Sequence, residues 1–267
     1  MDQFLTSETV SALLTLSFLE IVLGIDNLLF ISIITQKLDQ KQQKLASNIG
    51  LFLAMLLRIV LLFGISFVIQ MQSSLIIIDN SWIQSNINGQ AIILFLGGIF
   101  LLYKSTHEIF EKIEVDVSLE SKKPVKLSLS KAIIQITLLN IVFSFDSILT
   151  AVGMTNGILN ALPIMVIAII VSVGIMMLFM KPVSSFIQKH PSLQILGLSF
   201  LILIGFMLII EGANLSETII FNNEVGTIPK GYLYFAISFS LGIEFLNMNV
   251  NSNIKKLSKS TYASYVY

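Results

Sequence analysis

The sequence contains no cysteine. That excludes disulfides, thiolate metal sites and cysteine nucleophiles together. Histidine is nearly as scarce: only His107 and His190 occur, so imidazole ligation of soft metals is poorly supplied. Charge is sparse as well, with 12% of the 267 residues ionisable as Asp, Glu, Lys or Arg and 16 bases balancing 16 acids. A neutral chain offers no electrostatic footprint for nucleic acid. No Lys or Arg precedes Lys37, whereas a cleaved signal peptide needs a basic region ahead of its apolar core, so the first apolar run reads as a retained span. A Ser-His-Asp set, a Gly-rich phosphate loop and the Walker A pattern are all missing. The chain therefore reads as neither an enzyme nor an ATP-driven pump, and no permanently bound cofactor is expected.

What is present is apolar. At 55% hydrophobic residues and a mean hydropathy of +0.86, the chain is too oily for a soluble domain and reads as an integral membrane protein partnered by the lipid bilayer. Runs long enough to cross about 30 Å of hydrocarbon at about 1.5 Å per residue fall around 8–34, 46–70, 90–110, 130–155, 159–186, 193–211 and 231–248. The expected fold is all-α, with seven transmembrane helices in one membrane domain over 1–267. Only the connector 112–129 is long and highly charged.

Basic residues cluster by loop. Lys37, Lys41 and Lys44 follow the first span; Lys112, Lys122, Lys123 and Lys126, flanked by Lys104 and Lys131, follow the third; Lys181 and Lys189 bracket the fifth connector; Lys255, Lys256 and Lys259 lie in the tail 249–267. The alternate connectors carry Asp79, Glu217, Glu224 and only Lys230. The positive-inside rule then puts the N-terminus outside and the C-terminus in the cytoplasm, in a bacterial inner membrane.

One motif is written twice: Leu19-Glu-Ile-Val-Leu-Gly-Ile-Asp26-Asn27 and Leu139-Asn-Ile-Val-Phe-Ser-Phe-Asp146-Ser147. Spans 1 and 4 cross in opposite directions, so the copies lie on antiparallel helices. The reading is a 3+3 inverted-topology repeat, about 8–111 and about 130–212, with span 7 (231–248) left over. Such repeats place a substrate site where the halves meet near the midplane, and they permit alternating access. Carboxylates inside a membrane span mark ion or proton pathways.

On a regular helix Glu20, Gly24 and Asn27 share a face, and Asn140, Ser144 and Ser147 repeat that spacing. Asp26 and Asp146 fall about a third of a turn off the stripe. Local unwinding at Gly24 and Ser144 would turn them inward, and wide polar faces on regular helices are the alternative. The donors are all oxygens, which suits Mg²⁺, Ca²⁺ or Mn²⁺. Three acids (Glu20, Asp26, Asp146) against Arg58 leave two formal negative charges for a divalent cation to neutralise. Emptied carboxylates in low dielectric take up protons, which makes protons a natural counter-ion.

Arg58 reads as a structural counter-ion more readily than as a ligand, and Glu20 is divided between pairing with it and binding metal. Glu211, at the outer end of span 6, lines an exit mouth or merely meets water. Glu244, with Asn247 one turn on, is a cytoplasmic-side ligand or proton carrier, or else a structural hydrogen bond. Met176, Met177 and Met180 read as core filling, and Gly97, Gly98 and Gly205 as sites of close helix packing.

With these residues assembled, the chain resembles the TerC family of membrane proteins, named for tellurium resistance and distantly similar to amino-acid exporters of the LysE superfamily. The resemblance covers about 8–248. It rests on both copies of the motif, on Arg58, on Ile204-Gly-Phe-Met-Leu-Ile-Ile-Glu-Gly212, on Ile228-Pro-Lys-Gly-Tyr and on Glu244-Phe-Leu-Asn247. Longer members of that branch carry cytoplasmic domains after the membrane part. The resemblance implies manganese export through Glu20, Asp26 and Asp146, with Asn27 and Ser147 beside them; the reading of the residues adds Asn140 to that midplane site and Gly24, Arg58, Ser144, Glu211, Glu244 and Asn247 in support. Members commonly have an aspartate where this chain has Asn140, a departure that bears on ion preference. Two rivals stand beside export of Mn²⁺ or another hard divalent cation: export of a small organic solute, and a non-transporting membrane scaffold. A homo-oligomer is a further candidate state.

Overall fold

The computed structural model describes residues 7–64, 71–117, 127–155 and 161–264, and the side chains of Asp26 and Asp146 lie outside the described residues. The chain forms α1 (Ser7–Gln36), α2 (Gln40–Phe63), α3 (Gly89–Val117), α4 (Leu129–Met154), α5 (Ala161–Lys189), α6 (Pro191–Leu215) and α7 (Lys230–Ser264). Five of them (α1, α2, α3, α5 and α6) are long and apolar enough to cross a bilayer, and α4 holds a shorter apolar stretch, Leu129–Phe145. The protein is thus a mostly helical membrane protein.

Two expected boundaries are corrected. α3 continues to Val117, so the charged segment 112–129 begins as helix, and α7 continues to Ser264, so most of the Lys-rich segment 249–267 is helical.

The bundle is built from three main pairs: α1 on α5, α2 on α4, and α3 on α6, with α7 packed chiefly on α6. Glycines set the closest approaches. A Cβ on Gly24 would meet Met176 Sδ at 2.4 Å, and one on Gly50 would meet Ile136 Cγ2 at 2.7 Å. On α3, a Cβ at Gly98 would lie 2.6 Å from the Gly205 carbonyl oxygen of α6. Backbone meets backbone there, the small-residue contact by which helices associate in lipid. Large apolar side chains such as Leu14, Phe18, Phe52, Val60, Ile99, Phe179 and Phe206 remain exposed on the outside of the bundle, as lipid-facing surface requires.

Hydrogen bonds fix the directions. The Leu127 N–H donates to the Lys37 carbonyl (3.0 Å), so α4 starts beside the α1–α2 connector and runs parallel to α2. Gln188 Nε2 donates to Gln43 Oε1 (3.3 Å), bringing the end of α5 to the start of α2. Hence α5 runs parallel to α1, and α1 and α4 are antiparallel.

A small four-stranded sheet, β1 (Ser74–Asp79), β2 (Ile83–Asn88), β3 (Ile219–Ile220) and β4 (Asn223–Glu224), departs from the all-α expectation. Its order is β1-β2-β3-β4 and every pairing is antiparallel, with Ile83 opposite Ile220 and Gln84 opposite Ile219. Phe221 (φ 49°) and Asn222 (φ 63°) make the tight β3–β4 turn, and left-handed conformations at both central positions match a hairpin's twist. The Asn88 side chain couples the sheet to the bundle. Its Oδ1 accepts from the Ala91 N–H (2.8 Å) at the start of α3, while its Nδ2 donates to the Leu215 carbonyl (2.7 Å) at the end of α6. The sheet therefore clamps α3 to α6 at the end of the bundle opposite Lys37.

Candidate functional site

The described polar residues of both motif copies are buried in the bundle. Glu20, Asn27, Asn140, Ser144 and Ser147 are all buried, although each sits in a helix chosen for its oiliness. α1 and α4 are continuous helices through Gly24 and Ser144, so the expected local unwinding is not found. Backbone carbonyls there remain in the helix ladder; the donors that face the interior are side chains.

Arg58 of α2 reaches α1. Its Nη1 donates to Glu20 Oε2 at 2.5 Å, and both side chains are 2% exposed. Removing either partner would strand the other in low dielectric, which is the costly outcome for a buried pair. Gly50 touches Ile136 on the parallel helices α2 and α4, and Arg58 and Ser144 follow that contact by the same number of residues. They therefore stand at the same height, and the ion pair lies level with the second motif.

Several buried polar atoms around this height have no hydrogen-bond partner: Arg58 Nε, Asn140 Nδ2, Ser144 Oγ and, one turn before Asn140, Thr137 Oγ1. Ser147 Oγ donates to the Ser144 carbonyl of its own helix at 3.2 Å. Unsatisfied groups this deeply buried need water or a ligand. Among the described residues no three His, Cys, Asp or Glu side chains come together as a metal cluster; Asp26 and Asp146 lie outside that description.

Ser147 also lines a narrow cleft of about 60 Å³ with Phe143, Met207, Glu211, Lys230 and Tyr234. The structure thus brings Glu211 and the second motif to one opening. Glu244 accepts a hydrogen bond from Ser192 Oγ at the start of α6. Asn247 is exposed on α7, so this pair is not drawn to the α1–α2–α4 face. Met176 and Met180 are buried in the core as expected, with Met176 against Gly24. Ser172 and Ser199 return their hydroxyls to their own helices.

Sequence reasoning missed the charge network at the Lys37 end. Lys37 Nζ lies 2.5 Å from Glu108 Oε2 and 2.8 Å from Glu111 Oε2, and Lys104 pairs with Glu108 at 2.7 Å. Burial works against the Lys37 ammonium, but hydrogen bonds to Glu108 and Glu111 and the charge of both carboxylates outweigh it and raise its pKa above the ordinary lysine value. The available signal was the i, i+4 spacing of Lys104 and Glu108; nothing local pointed to Lys37.

Among curated proteins, the chain is 41% identical over 244 residues to a UPF0053 protein of Haemophilus influenzae, covering 91% of this chain and 95% of that one. It is 41% identical over 237 residues to the UPF0053 inner membrane protein YgdQ of Escherichia coli K12, covering 89% and 91% of the two chains. It is also 41% identical over 256 residues to the UPF0053 protein BU323 of Buchnera aphidicola, covering 96% of this chain but 46% of that longer one. No solved structure matches. The integral membrane protein TerC family matches residues 5–259, and this chain belongs to that family.

Proposed function

We propose that the chain is a seven-span inner-membrane secondary transporter that exports a divalent cation, Mn²⁺ foremost, by alternating access between two inverted halves. The observation that carries the reading is the doubled motif: two antiparallel helices, α1 and α4, each bury an acid or amide and further oxygen donors, and a single guanidinium pairs with the acid of the first copy. The packing is consistent with inversion. Exchanging α1 with α4, α2 with α5 and α3 with α6 turns the α1·α5 pair into the α4·α2 pair and leaves α3·α6 as itself. Lysines gather at the Lys37 end and Asp79, Glu217 and Glu224 at the sheet end, which favours a cytoplasmic Lys37 end and an N-terminus outside.

Glu20 is already paired, so in this conformation the cation's ligands are Asp26, Asn27, Asn140, Asp146 and Ser147. Glu20 joins them only when Arg58 releases it. Protons are the counter-ion of the reading, because emptied carboxylates recover neutrality by protonation. A Mn²⁺ flux in proteoliposomes indifferent to an imposed pH gradient would remove that coupling.

The test of export is cellular manganese after Mn²⁺ loading, in cells lacking their own exporters. The intact chain lowers the metal content, while Asp26→Ala and Asp146→Ala at matched membrane levels leave it as high as in empty cells. Equal content in all three sinks the assignment. One observation favours the organic-solute rival: Arg58 Nε, Asn140 Nδ2 and the Ser144 hydroxyl could all donate to a carboxylate. That rival predicts thermal stabilisation by amino acids and none by Mn²⁺.

A further inference from the structure

The cleft between α4, α6 and α7 has a mixed lining. Phe143, Ile204, Met207, Leu208, Ile228 and Leu233 make it apolar, and its polar groups are Ser147, Glu211, Lys230 and Tyr234. α4 and α6 both run toward the sheet end, and α7 starts there. Ser147 is therefore the deeper group, while Glu211 and Lys230 lie toward the sheet end.

A volume of about 60 Å³ holds about two waters, or one cation with part of its shell. The lining carries one carboxylate and one ammonium. A divalent cation arriving from Ser147 is attracted by Glu211 and repels Lys230. Its departure would leave the half-buried Glu211 carboxylate without a cation, a cost that the tethered ammonium removes.

Resting on the export reading, we propose that Glu211 is the release site for the divalent cation at the sheet-end mouth and that Lys230 is the built-in cation that replaces it there. Release is then a substitution of one positive group for another, and the empty cleft stays neutral without taking a charge from solution.

The test uses the full chain in liposomes with Mn²⁺ as the probe. Glu211→Gln slows Mn²⁺ efflux roughly tenfold at low Mn²⁺, as expected when a charged partner is removed from a partly buried site, and Glu211→Asp restores part of the rate. Lys230→Gln lowers the maximal rate and KM together, because the cation is held rather than displaced. The chain has no cysteine, so Met207→Cys places a single thiol in the cleft. Mn²⁺ slows modification of that thiol by a membrane-impermeant reagent, and the protection disappears when Glu211→Gln is added. A chain that moves Mn²⁺ while its Met207→Cys thiol reacts at one rate with or without the metal overturns the proposal, as does a Glu211→Gln variant that transports at full rate. An intact chain that moves no Mn²⁺ overturns the export reading itself, and the release site with it.

Discussion

The two copies of the motif occupy equivalent places on α1 and α4 yet solve the problem of buried polarity differently. The first carries an acid, Glu20, and neutralises it with Arg58 from the neighbouring helix. The second carries the amide Asn140, and none of the buried residues of α5, the counterpart of α2 in the exchange, is basic. At these equivalent buried positions, acid and base are present together in one half and absent together in the other. A buried carboxylate needs its counter-charge within reach and an amide does not. The asymmetry also makes the Arg58–Glu20 bridge a buried cross-link in one half, while unpartnered Asn140 and Ser144 atoms leave the other half open to a ligand.

The largest way to break the comparison is Arg58→Ala. It strands Glu20 at 2% exposure, at a cost of about 3–5 kcal/mol. Thermal unfolding of the detergent-solubilised protein measures the loss. The paired change Glu20→Gln with Arg58→Met makes these positions of the first half as uncharged as their counterparts in the second and should recover most of it. If the pair is no more stable than Arg58→Ala alone, the charge argument fails.

Next in size is Gly98→Ala. α3·α6 is the one main pair that the exchange maps onto itself, so widening it moves both halves alike. The new Cβ meets the Gly205 carbonyl oxygen at 2.6 Å and Ile209 Cγ1 at 2.7 Å. A backbone atom cannot rotate away, and about 1–3 kcal/mol should be lost. Gly24→Ala is the control, because its obstacle is the flexible Met176 side chain, and it should cost less.

Asn140→Asp sharpens the comparison instead, giving the second copy an acid at the position equivalent to Glu20 without a base opposite it. Without metal the variant should be less stable than the parent. With Mn²⁺ it should gain more, by about 1.4 kcal/mol for each tenfold rise in affinity. A metal-induced rise in unfolding temperature no larger than the parent's would place position 140 outside the cation's reach.

How much of this was legible beforehand differs by element. Five membrane-length helices were, because a span must be continuously apolar and so announces itself: 159–186 is the expectation and Ala161–Lys189 is found. The inward face of both motifs was legible from 3.6-residue periodicity. The sheet was not read, although Ser74–Asp79 has a β-branched run, because its stability comes from pairing β2 with Ile219–Ile220 far along the chain. The choice between Glu20 as ligand and Glu20 as partner of Arg58 depended on the height of α2 against α1. Burial of Glu108 between Lys37 and Lys104 depended on how α3 meets the end of α1. Spacing within one helix carries neither quantity.

The smallest expected effect separates the ion pair inside the bundle from the one at its end. The Arg58–Glu20 bridge is enclosed by the bundle, with both side chains 2% exposed. Lys37 differs. Its pKa is raised in the folded protein, so its contribution is complete below the unfolded lysine value of about 10.4 and is lost as pH climbs through the higher folded value. The thermal midpoint should therefore fall above about pH 10.4. Lys37→Met should have a lower midpoint at neutral pH and a flatter decline in the alkaline range. The difference should stay small, because the Lys37 side chain is 26% exposed and Lys104 still neutralises Glu108. An alkaline decline of equal steepness in Lys37→Met would assign the transition to another group and leave Lys37 a minor surface pair.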